Sequence, residues 1–347
     1  MASSTYNAGI IGLGFIGAAD QISGDALGQQ VKDLDGTHLH AIENNPCIKL
    51  VAGSSRDDGR RNRFYDRTGA HTYSDWQEML DKEDLDLVCI ATYAPVHKEI
   101  TVACADHGIR VIFCEKPIAP YICDAEHMVQ ACKKSGSLLV INHNRRFNPN
   151  YHRLRDFIVS GQLGDLTSVN AQWGNGRLGN VGTHVFDAIC MVTGLRIEAV
   201  SGTLDLAGKP DCRGSQFRDP GGWGLMQLSG GPIVTVDASD YGKVPISISF
   251  QGSKGRVFTG GDDVIIEYWN GEREQWPGLR KEATSMDRAV TEIGNYLDGS
   301  TCFSFQAEEA VHVLEAIAAF HASDKCLGAW TKLPLSGEDR KIKINSG

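Results

Sequence analysis

The sequence predicts two domains: an α/β domain built on a doubly wound parallel sheet, then an α+β domain with a largely antiparallel, open sheet. Three observations support this fold class. The chain has 347 residues, which is too long for one small core. Its first third alternates apolar runs with amphipathic stretches, as parallel β-α-β units do. After about residue 150, strand-like segments are separated by glycine, which is typical of antiparallel strands.

The composition excludes several classes of protein. An apolar fraction of 41% and a charged fraction of 22% are those of a globular chain. A net charge of -9 without a basic stripe argues against a nucleic-acid partner. No apolar run approaches the roughly 20 residues that span a bilayer, and the start lacks the pattern of a secretory signal, so we expect a cytoplasmic protein without a membrane partner. The cysteines are scattered singly, without zinc spacing, so we expect reduced thiols and no metal.

The first domain is assigned to residues 1–121. Four apolar runs predict strands that are buried on both faces: NAGIIGLG, CIKLVAGSS, LDLVCIAT and IRVIFCE. PVHKEITVACADHG predicts a helix, because Pro95 suits a first turn and Gly108 suits the end. Beyond it, YICDAEHMVQACKKSG predicts a helix and SLLVINH a further strand.

The second domain is assigned to residues 122–347. Strands are expected in the segments LTSVNAQW, GWGLMQLSG, GPIVTVDASD, ISISFQGSKG and VFTGGDDVIIEYW. Helices are expected in NPNYHRLRDFIVSGQLG, SMDRAVTEIGNYLDG and AEEAVHVLEAIAAFHAS. The predicted sheet is therefore largely antiparallel and open.

The segment GLGFIG, residues 12–17, follows the first predicted strand and matches the pattern G-x-G-x-x-G. Gly12 permits a tight turn, Gly14 lets the backbone approach a pyrophosphate, and Gly17 permits close packing of helix on strand. The pattern predicts a Rossmann domain that binds a dinucleotide; a glycine turn without a ligand is the alternative. The expected ligand contacts in this turn are Gly12, Gly14, Phe15, Ile16 and Gly17.

The side chains after the second strand indicate which of the two nicotinamide cofactors, NAD or NADP, is preferred. A carboxylate there holds the ribose 2′-hydroxyl of NAD, whereas hydroxyl and guanidinium groups suit the 2′-phosphate of NADP. The strand ends as GSSRDD, so Ser54, Ser55 and Arg56 occupy this place. The sequence predicts NADP, with NAD as the alternative cofactor. A cap of the next helix by Ser55 or Asp57 is the structural alternative.

Five motifs follow one another along the chain: GLGFIG, IATYAPVHKEI, CEKP, NRRFNPNY and NVGTHVFD. In their order and spacing the chain resembles the glucose–fructose oxidoreductase / inositol dehydrogenase (Gfo/Idh/MocA) family. The resemblance implies NAD(P)-dependent hydride transfer at a secondary alcohol or ketone carbon of a sugar, sugar derivative or inositol. It also implies that copies of the chain associate, as a homodimer or homotetramer, through the open sheet.

The resemblance implies catalytic roles for CEKP and GTHVFD. In the family, the lysine at position 116 stands between nicotinamide and substrate, and the histidine at 184 faces it from the second domain. Loss of hydride from a carbinol carbon requires a base for the hydroxyl proton, and an ammonium stabilises charge on that oxygen. His184 is therefore the expected base, with Lys116 assisting. Glu115 is expected to orient Lys116, and the Lys116–Pro117 bond is a candidate for the cis form.

The remaining cofactor contacts are expected near the ends of the predicted strands. They are Ala91, Thr92, His97, Glu115, Lys116, Pro117, Asn144 and Arg145. Packing is the alternative role for Thr92 and His97. Arg145 and Arg146 are candidates to bind an acidic substituent or to pair with carboxylates, and we expect pairing for at least one, because buried arginine is seldom unpaired.

The loop WGNGRLGN, residues 173–180, is expected to contact the substrate. Trp173, Asn175 and Arg177 supply an aromatic face and polar donors, which suit a polyhydroxylated ring. Asn180 departs from the family, which has aspartate there. Asparagine can orient a hydroxyl but cannot accept its proton, so the expected role of Asn180 is to assist His184.

This departure leaves two other functions open. One is a redox-neutral glycoside hydrolase or lyase that keeps its nicotinamide cofactor bound. The other is a non-catalytic regulator that senses the cofactor.

The segment AADQISGDALGQQVKDLDGT, residues 18–37, is a second departure from the family. Relatives pass from the third glycine to the HLHAIENNP helix without it, so the segment is expected to loop out beside the cofactor. It is either a lid or subunit contact that shapes the substrate entrance, or a solvated acidic decoration.

Overall fold

A computed structural model describes residues 5–174, 176–206, 217–239, 244–303 and 305–346. The chain forms two compact units. The first comprises Met1–Ala119, Asp124–Phe147 and Ala283–Glu308; the second comprises Pro120–Cys123, Asn148–Glu282 and Glu309–Gly347. This division differs from the expected single boundary at residue 121, because two later segments of the chain also belong to the first unit.

Six parallel strands form the sheet of the first unit. They are β1 (Tyr6–Ile11), β2 (Ile48–Ser54), β3 (His71–Tyr73), β4 (Leu87–Ile90), β5 (Val111–Cys114) and β6 (Leu138–Ile141). The order β3-β2-β1-β4-β5-β6 confirms the doubly wound sheet. β4 and β5 are buried throughout, as their continuous apolar runs predict. The sequence does not predict β3, because HTY contains no apolar run.

Helices flank this sheet. They are α1 (Phe15–Ala18), α2 (Gln21–Asp25), α3 (His38–Glu43), α4 (Asp58–Thr68), α5 (Trp76–Lys82), α6 (His97–Asp106), α7 (Ile122–Ser135) and α10 (Ser285–Leu297), which follows two helices of the second unit along the chain. The buried face of α10 closes the core of the first unit, beside residues of β1 and α3. This packing explains why Ala283–Glu308 belongs to the first unit.

The inserted segment, residues 18–37, interrupts the first helix. α1 ends after one turn at Ala19, whose φ of 51° is left-handed. Arg67 donates hydrogen bonds to the carbonyls of Ala18 and Ala19, which lack a helical partner at this break. The chain then forms α2 and resumes with α3, whose amino end is capped by the hydroxyl of Thr37.

Both ends of the insertion are held by the first unit. Arg63 donates two hydrogen bonds, of 2.8 and 2.9 Å, to the carboxylate of Asp20. Asp35 accepts hydrogen bonds from the side chain of Asn144 and the backbone N–H of Ser285. Two acidic side chains of the insertion therefore bind to the fold, which argues against a purely solvated decoration. A role as lid or subunit contact stays a prediction.

Nine strands form the mixed, mostly antiparallel sheet of the second unit. They are β7 (Leu166–Gln172), β8 (Ile197–Asp205), β9 (Gly221–Leu228), β10 (Ile233–Ala238), β11 (Ser247–Gly252), β12 (Gly255–Thr259), β13 (Val264–Tyr268), β14 (Arg273–Trp276) and β15 (Thr331–Lys332). Their order is β14-β13-β12-β11-β7-β10-β9-β8-β15. β7 and β10 are parallel, and the other neighbours are antiparallel. The predicted segments contain β7, β10, β11 and β13 and overlap β9 and β12, whereas β8, β14 and β15 are not predicted.

One face of this sheet exposes large side chains. In β9, Trp223, Leu225 and Gln227 are exposed, whereas Met226 and Leu228 are buried. Trp223 and Leu225 are each 38% exposed. Contiguous exposed apolar side chains often mark an interaction surface. The resemblance places the association of copies on this open face, and that association stays a prediction.

Three helices belong mainly to the second unit: α8 (Pro149–Val159), α9 (Thr183–Thr193) and α11 (Ala307–Lys325). Within the described ranges, no helix has the length and apolar character needed to cross a membrane. In the same ranges, no group of three or more His, Cys, Asp or Glu side chains is arranged to hold a metal ion. Cys89 and Cys114 lie in the core as predicted, whereas Cys123, Cys302 and Cys326 are exposed.

Candidate cofactor site and catalytic residues

The carboxyl ends of five parallel strands bring predicted cofactor residues to one edge of the first sheet. The residues that end or follow these strands, in sheet order, are Ser54, Gly12, Ala91, Glu115 and Asn142. Backbone hydrogen bonds continue the ladder past the strand ends, for example from Gly12 to Ser54 at 2.9 Å and from Asn142 to Cys114 at 2.9 Å. Ligands of open α/β sheets bind at this edge.

The three glycines of the turn differ in the room that each leaves for a side chain. Gly12 has a φ of 104°, and a Cβ there would lie 2.4 Å from the carbonyl oxygen of Ala91. A Cβ at Gly17 would lie 1.9 Å from the carbonyl oxygen of Gly12. At Gly14, by contrast, the nearest atom to such a Cβ is Nη1 of Arg60, at 3.7 Å. The fold itself therefore requires the outer two glycines, whereas the middle one leaves open the space that a pyrophosphate needs.

This difference between the glycines predicts two distinct phenotypes. Gly14→Ala should leave the unfolding temperature close to that of the parent chain and weaken binding of NADPH, because the new methyl group occupies ligand space. Gly17→Ala should destabilise the fold itself, because its methyl group meets the backbone at Gly12. Thermal unfolding and titration of NADPH fluorescence measure the two effects. Equal stability loss in both variants would contradict this interpretation of the turn.

The end of β2 carries no carboxylate at positions 54–56, as the sequence indicates. Ser54 is 3% exposed. Ser55 Oγ accepts a hydrogen bond from the N–H of Asp57, and the Asp57 carboxylate caps α4 by accepting from the N–H of Arg60 at 2.8 Å. Arg56 is exposed, and its side chain makes no hydrogen bond or ion pair with the described residues. The capping alternative for Asp57 is confirmed, while cofactor contact by Ser54, Ser55 and Arg56 stays a prediction.

Sequence reasoning missed Arg60, which lies on α4 beside the glycine turn. Its Nε is 4.0 Å from Oδ2 of Asp20, and its side chain is 40% exposed. Asp20 also accepts hydrogen bonds from Arg63 and from the backbone and hydroxyl of Ser23. Burial opposes ionisation of Asp20, but these hydrogen bonds lower its pKa below the ordinary value. The run RRNR after the second strand was the available signal, although it does not indicate which arginine faces Gly14.

Glu115, which precedes Lys116, is fixed by two buried side chains. Its Oε1 lies 3.0 Å from Nε2 of His38 and 2.7 Å from Nδ2 of Asn142. His38 is completely buried, and its ring meets the ring of Phe113 edge-on at 4.8 Å between centroids. The Lys116–Pro117 bond is cis, as expected. Orientation of Lys116 by Glu115 stays a prediction, and the sequence identified neither His38 nor Asn142 as a partner of Glu115.

The surroundings of His38 and Glu115 shift the pKa values of the two buried side chains in opposite directions, each toward the charged form. Burial disfavours the imidazolium, but the Cys89 thiol and the Glu115 carboxylate outweigh burial and raise the pKa of His38 to about 10. Burial likewise opposes ionisation of Glu115, but the hydrogen bonds and charges around it, chiefly from His38, lower the pKa of its carboxyl. His38 therefore donates its Nε2 proton to the carboxylate.

The ring of His97 lies within hydrogen-bond distance of backbone carbonyls in and after the CEKP turn. Its Nδ1 lies 3.1 Å from the carbonyl oxygen of Pro117 and 3.2 Å from that of Ile118, and its Nε2 lies 3.2 Å from that of Thr92. The ring is completely buried, and burial lowers its pKa. These contacts support the packing role of His97, and its contact with the cofactor stays a prediction. The hydroxyl of Thr92, in contrast, is buried without a hydrogen-bond partner in the described ranges, so it is available to a ligand.

Asn144 also presents a buried polar atom. Its Nδ2 donates to Asp35 at 3.2 Å, while its Oδ1 has no hydrogen-bond partner among the described residues. Arg145 and Arg146 are 8% and 5% exposed, and the guanidinium of Arg146 lies 4.9 Å from the ring centroid of Phe305. This cation–π contact stabilises a buried guanidinium. Cofactor contact by Asn144 and Arg145 stays a prediction.

In the second unit, Asn180 and His184 lie on consecutive helical segments. Asn180 belongs to a π-helical turn, Leu178–Gly182, and His184 lies in the first turn of α9. The carboxylate of Asp219 accepts the backbone N–H groups of Gly179 at 2.8 Å and Asn180 at 2.7 Å. Asp219 therefore fixes the start of the segment that carries both predicted catalytic residues. The sequence did not identify Asp219, because it lies 40 positions from Gly179.

In the predicted substrate loop, residues 173–180, Trp173 is buried and Asn175 lies outside the described residues. Trp173 is 1% exposed, its ring meets Phe186 edge-on, and its Nε1 donates to the carbonyl of Gly176 at 2.7 Å. Burial argues against the expected contact of Trp173 with a substrate. Arg177 has a left-handed φ of 63°, and Asn175 lies outside the described residues.

Most of the first unit is similar to a known family of proteins. The sequence profile of the Gfo/Idh/MocA proteins, described as "Oxidoreductase family, NAD-binding Rossmann fold", matches residues 6–143. Residues 6–143 are therefore similar to the NAD-binding Rossmann domain of this family.

Relatives among characterised proteins match less than the whole chain. Myo-inositol 2-dehydrogenase of Thermotoga maritima is 28% identical over 157 residues, which is 45% of this chain and 41% of the relative. Levoglucosan dehydrogenase of Pseudarthrobacter phenanthrenivorans is 27% identical over 221 residues, or 57% and 53% of the two chains. These matches span about half of each relative's length or less.

Solved structures extend the likeness to both units. The oxidoreductase domain protein of Kribbella flavida has a TM-score of 0.78 and 20% identity, with 96% of this chain and 100% of that chain covered. At this identity the likeness concerns the fold. It confirms the fold class expected for the whole chain.

Proposed function

We propose that the chain is an NADP(H)-dependent oxidoreductase that transfers hydride at a secondary alcohol or ketone carbon of a sugar, sugar derivative or cyclitol. The observation that carries this proposal is the position of Lys116. It follows β5 at the edge that carries the glycine turn, next to a glutamate held by His38 and Asn142. The matches to an inositol dehydrogenase and a levoglucosan dehydrogenase support the substrate class.

The proposed chemistry assigns one task to each polar group. The cofactor, when bound, supplies or accepts the hydride; the glycine turn and the buried Thr92 hydroxyl fit such a ligand. The ammonium of Lys116 binds the reacting oxygen and stabilises negative charge there. His184 takes the hydroxyl proton on oxidation and returns it on reduction. Asn180 orients a substrate hydroxyl but cannot take its proton.

NADP is proposed over NAD because of the end of β2. A carboxylate at this place would bind the ribose 2′-hydroxyl of NAD and repel a 2′-phosphate. Positions 54–56 carry hydroxyls and a guanidinium instead, and the carboxylate of Asp57 is already engaged as the cap of α4.

Asn180 favours a second candidate function. Asn180 carries an amide where the family has a carboxylate. An amide cannot accept a proton, so the proposed site has one proton acceptor fewer. A redox-neutral cycle on a glycoside fits this difference: the sugar is oxidised, eliminates its substituent and is reduced again. Such an enzyme would be a lyase or hydrolase that regenerates its own cofactor.

One experiment tests both candidates. The purified chain is mixed with NADP⁺ or NAD⁺ and a panel of inositols, hexoses, anhydrosugars and glycosides, and both absorbance of reduced nicotinamide and sugar products are followed. We expect a growing absorbance with at least one polyol and a lower KM for NADP⁺ than for NAD⁺.

The alternative results are distinct. Product release over many turnovers without absorbance change would select the redox-neutral cycle. A clear preference for NAD⁺ would overturn the cofactor assignment. If neither NADP⁺ nor NAD⁺ binds, the proposed function is wrong.

A further inference from the structure

The helical segment that carries Asn180 and His184 begins without a cap of its own. Arg177 stands at its N-cap position with a left-handed backbone, φ 63° and ψ 61°, and its side chain makes no capping hydrogen bond. The first N–H groups of any helix lack an acceptor within the helix. Here those groups belong to Leu178, Gly179 and Asn180, so their acceptors have to come from another part of the chain.

Two consecutive residues, Asp219 and Pro220, supply these acceptors. The carbonyl of Pro220 accepts a hydrogen bond from the N–H of Leu178 at 2.9 Å. The Oδ1 and Oδ2 atoms of Asp219 accept the N–H groups of Gly179 at 2.8 Å and Asn180 at 2.7 Å. A carboxylate at a helix start also interacts favourably with the positive end of the helix dipole. Asp219 and Pro220 therefore form the cap of this helix, and the cap depends on both oxygens of one carboxylate.

Residues 344–346 pack against the same helix start. Ile344 and Ser346 are each 1% exposed, and the N–H of Ile344 donates to the carbonyl of Pro120 at 2.9 Å. A Cβ on Gly179 would lie 2.8 Å from Cγ2 of Ile344 and 2.8 Å from Cβ of Ser346. It would also lie 3.1 Å from Oδ1 of Asp219. Gly179 is therefore enclosed by buried atoms, so the helix start cannot move toward residues 344–346 without a steric clash.

We propose that Asp219 is a positioning residue for the reaction, and that residues 344–346 support it. Together they set where Asn180 and His184 stand relative to the substrate. The inference rests on the proposed function, because it takes His184 as the proton acceptor and Asn180 as a ligand of a substrate hydroxyl. A base acts only within hydrogen-bond reach of the proton that it takes, and a displacement of about 1 Å can lower the rate by about 100-fold. Loss of the cap frays the turn that carries Asn180 and shifts His184, which lies one turn further on.

A double-mutant cycle tests whether Asp219 acts through His184. Asparagine at position 219 keeps one acceptor oxygen but places an NH₂ group opposite the second N–H, so half of the side-chain cap is lost. We expect Asp219→Asn to lower kcat by about 10- to 100-fold, and to leave the dissociation constant of NADPH unchanged, because the glycine turn lies in the first unit. In the His184→Ala background the same substitution should lower kcat by less than about 3-fold, since the base that it displaces is already absent. An equal loss in both backgrounds would overturn the positioning role.

Asp324→Asn is the matched control. Asp324 lies in the second unit, and its Oδ1 accepts the backbone N–H of Leu204 at 2.9 Å and the hydroxyl of Thr203 at 2.8 Å. The substitution removes the same charge and weakens a similar interaction, so the unfolding temperature should fall by a comparable amount while kcat stays close to that of the parent chain. A loss of kcat as large as in Asp219→Asn would mean that lowered stability alone explains the effect, and the inference would be wrong.

Hydrogen exchange separates failure of this inference from failure of the proposed function, because it needs no substrate. In Asp219→Asn, the amide groups of residues 178–184 should exchange about 10-fold faster than in the parent chain, whereas those of β7 should keep their rates. If His184→Ala retains near-normal turnover, His184 is not the base and the proposed chemistry fails, while the exchange rates still decide whether Asp219 fixes the helix. Unchanged exchange in Asp219→Asn would overturn the inference, whatever the turnover.

Gly179→Ala tests the contribution of residues 344–346. Alanine favours a helix more than glycine does, so by propensity alone the substitution should help the helix to form. We expect kcat to fall by about 10-fold instead, because the new methyl group meets Ile344 and Ser346 and displaces the helix start. The double variant Gly179→Ala/Ile344→Ala removes one of these two contacts and should regain part of the lost turnover. A parental kcat in Gly179→Ala would exclude residues 344–346 from the positioning of His184.

Discussion

Lys116→Ala is expected to lower kcat by about 10²- to 10³-fold, which is the usual effect of losing one donor that stabilises a developing negative charge. The dissociation constant of NADPH should change little, because the glycine turn and the ends of the other strands remain. The expected split arises because the ammonium is proposed to act on the reacting oxygen, whereas the glycine turn is expected to bind the cofactor through its backbone. Single-turnover kinetics and fluorescence titration of NADPH measure the two quantities.

A lysine on the surface of the same unit provides the control. Lys133 is 64% exposed and forms an ion pair with Glu308, so Lys133→Ala removes an equal charge and should leave turnover close to that of the parent chain. Lys116→Arg keeps the charge but places a larger, planar group in the site, and it should remain strongly impaired. Near-normal turnover of Lys116→Ala would remove Lys116 from the chemistry.

Local patterns explain which parts of the site could be predicted from the sequence. GLGFIG and CEKP each directly follow an apolar run, so their place at the carboxyl edge of a parallel sheet follows from strand order alone. The structure also shows why the glycines are needed, since Gly12 and Gly17 leave no room for a Cβ.

Contacts between distant residues explain what the sequence did not reveal. His38 and Glu115 are 77 positions apart, and nothing in HLHAIENNP distinguishes a buried histidine from a solvated one. α10 follows β7 to β14 of the second sheet along the chain, yet it packs in the core of the first unit, and no local sequence pattern predicts this packing. Trp173 is a further example, because an aromatic residue beside polar donors suits a sugar site and a core position equally well.

Glu115→Gln is expected to destabilise the first unit by about 3–5 kcal/mol at pH 7, because it leaves the buried imidazolium of His38 without its counter-charge. Asp81→Asn is the matched control. It removes the carboxylate from another histidine pair, at 3.0 Å to His107, but both side chains there are more than a third exposed. An exposed pair contributes about 0–1 kcal/mol. Urea unfolding followed by circular dichroism measures both free energies of unfolding.

The pH dependence of stability identifies the charge itself as the cause. Because the pKa of His38 rises from 6.5 to about 10 on folding, its contribution is complete below pH 6.5 and is lost as pH rises from 6.5 toward 10. The lowered pKa of Glu115 acts in the opposite direction, so its contribution is present above pH 4.5 and is lost in more acidic solution. In Glu115→Gln the alkaline decline should become shallower, since the imidazolium has lost a partner that raises its pKa. The contrary result has two parts. The free energy of unfolding of Glu115→Gln would decline at alkaline pH as steeply as that of the parent chain, and Glu115→Gln would lose no more stability than Asp81→Asn. That result would mean that His38 is neutral and that Glu115 is held by hydrogen bonding alone.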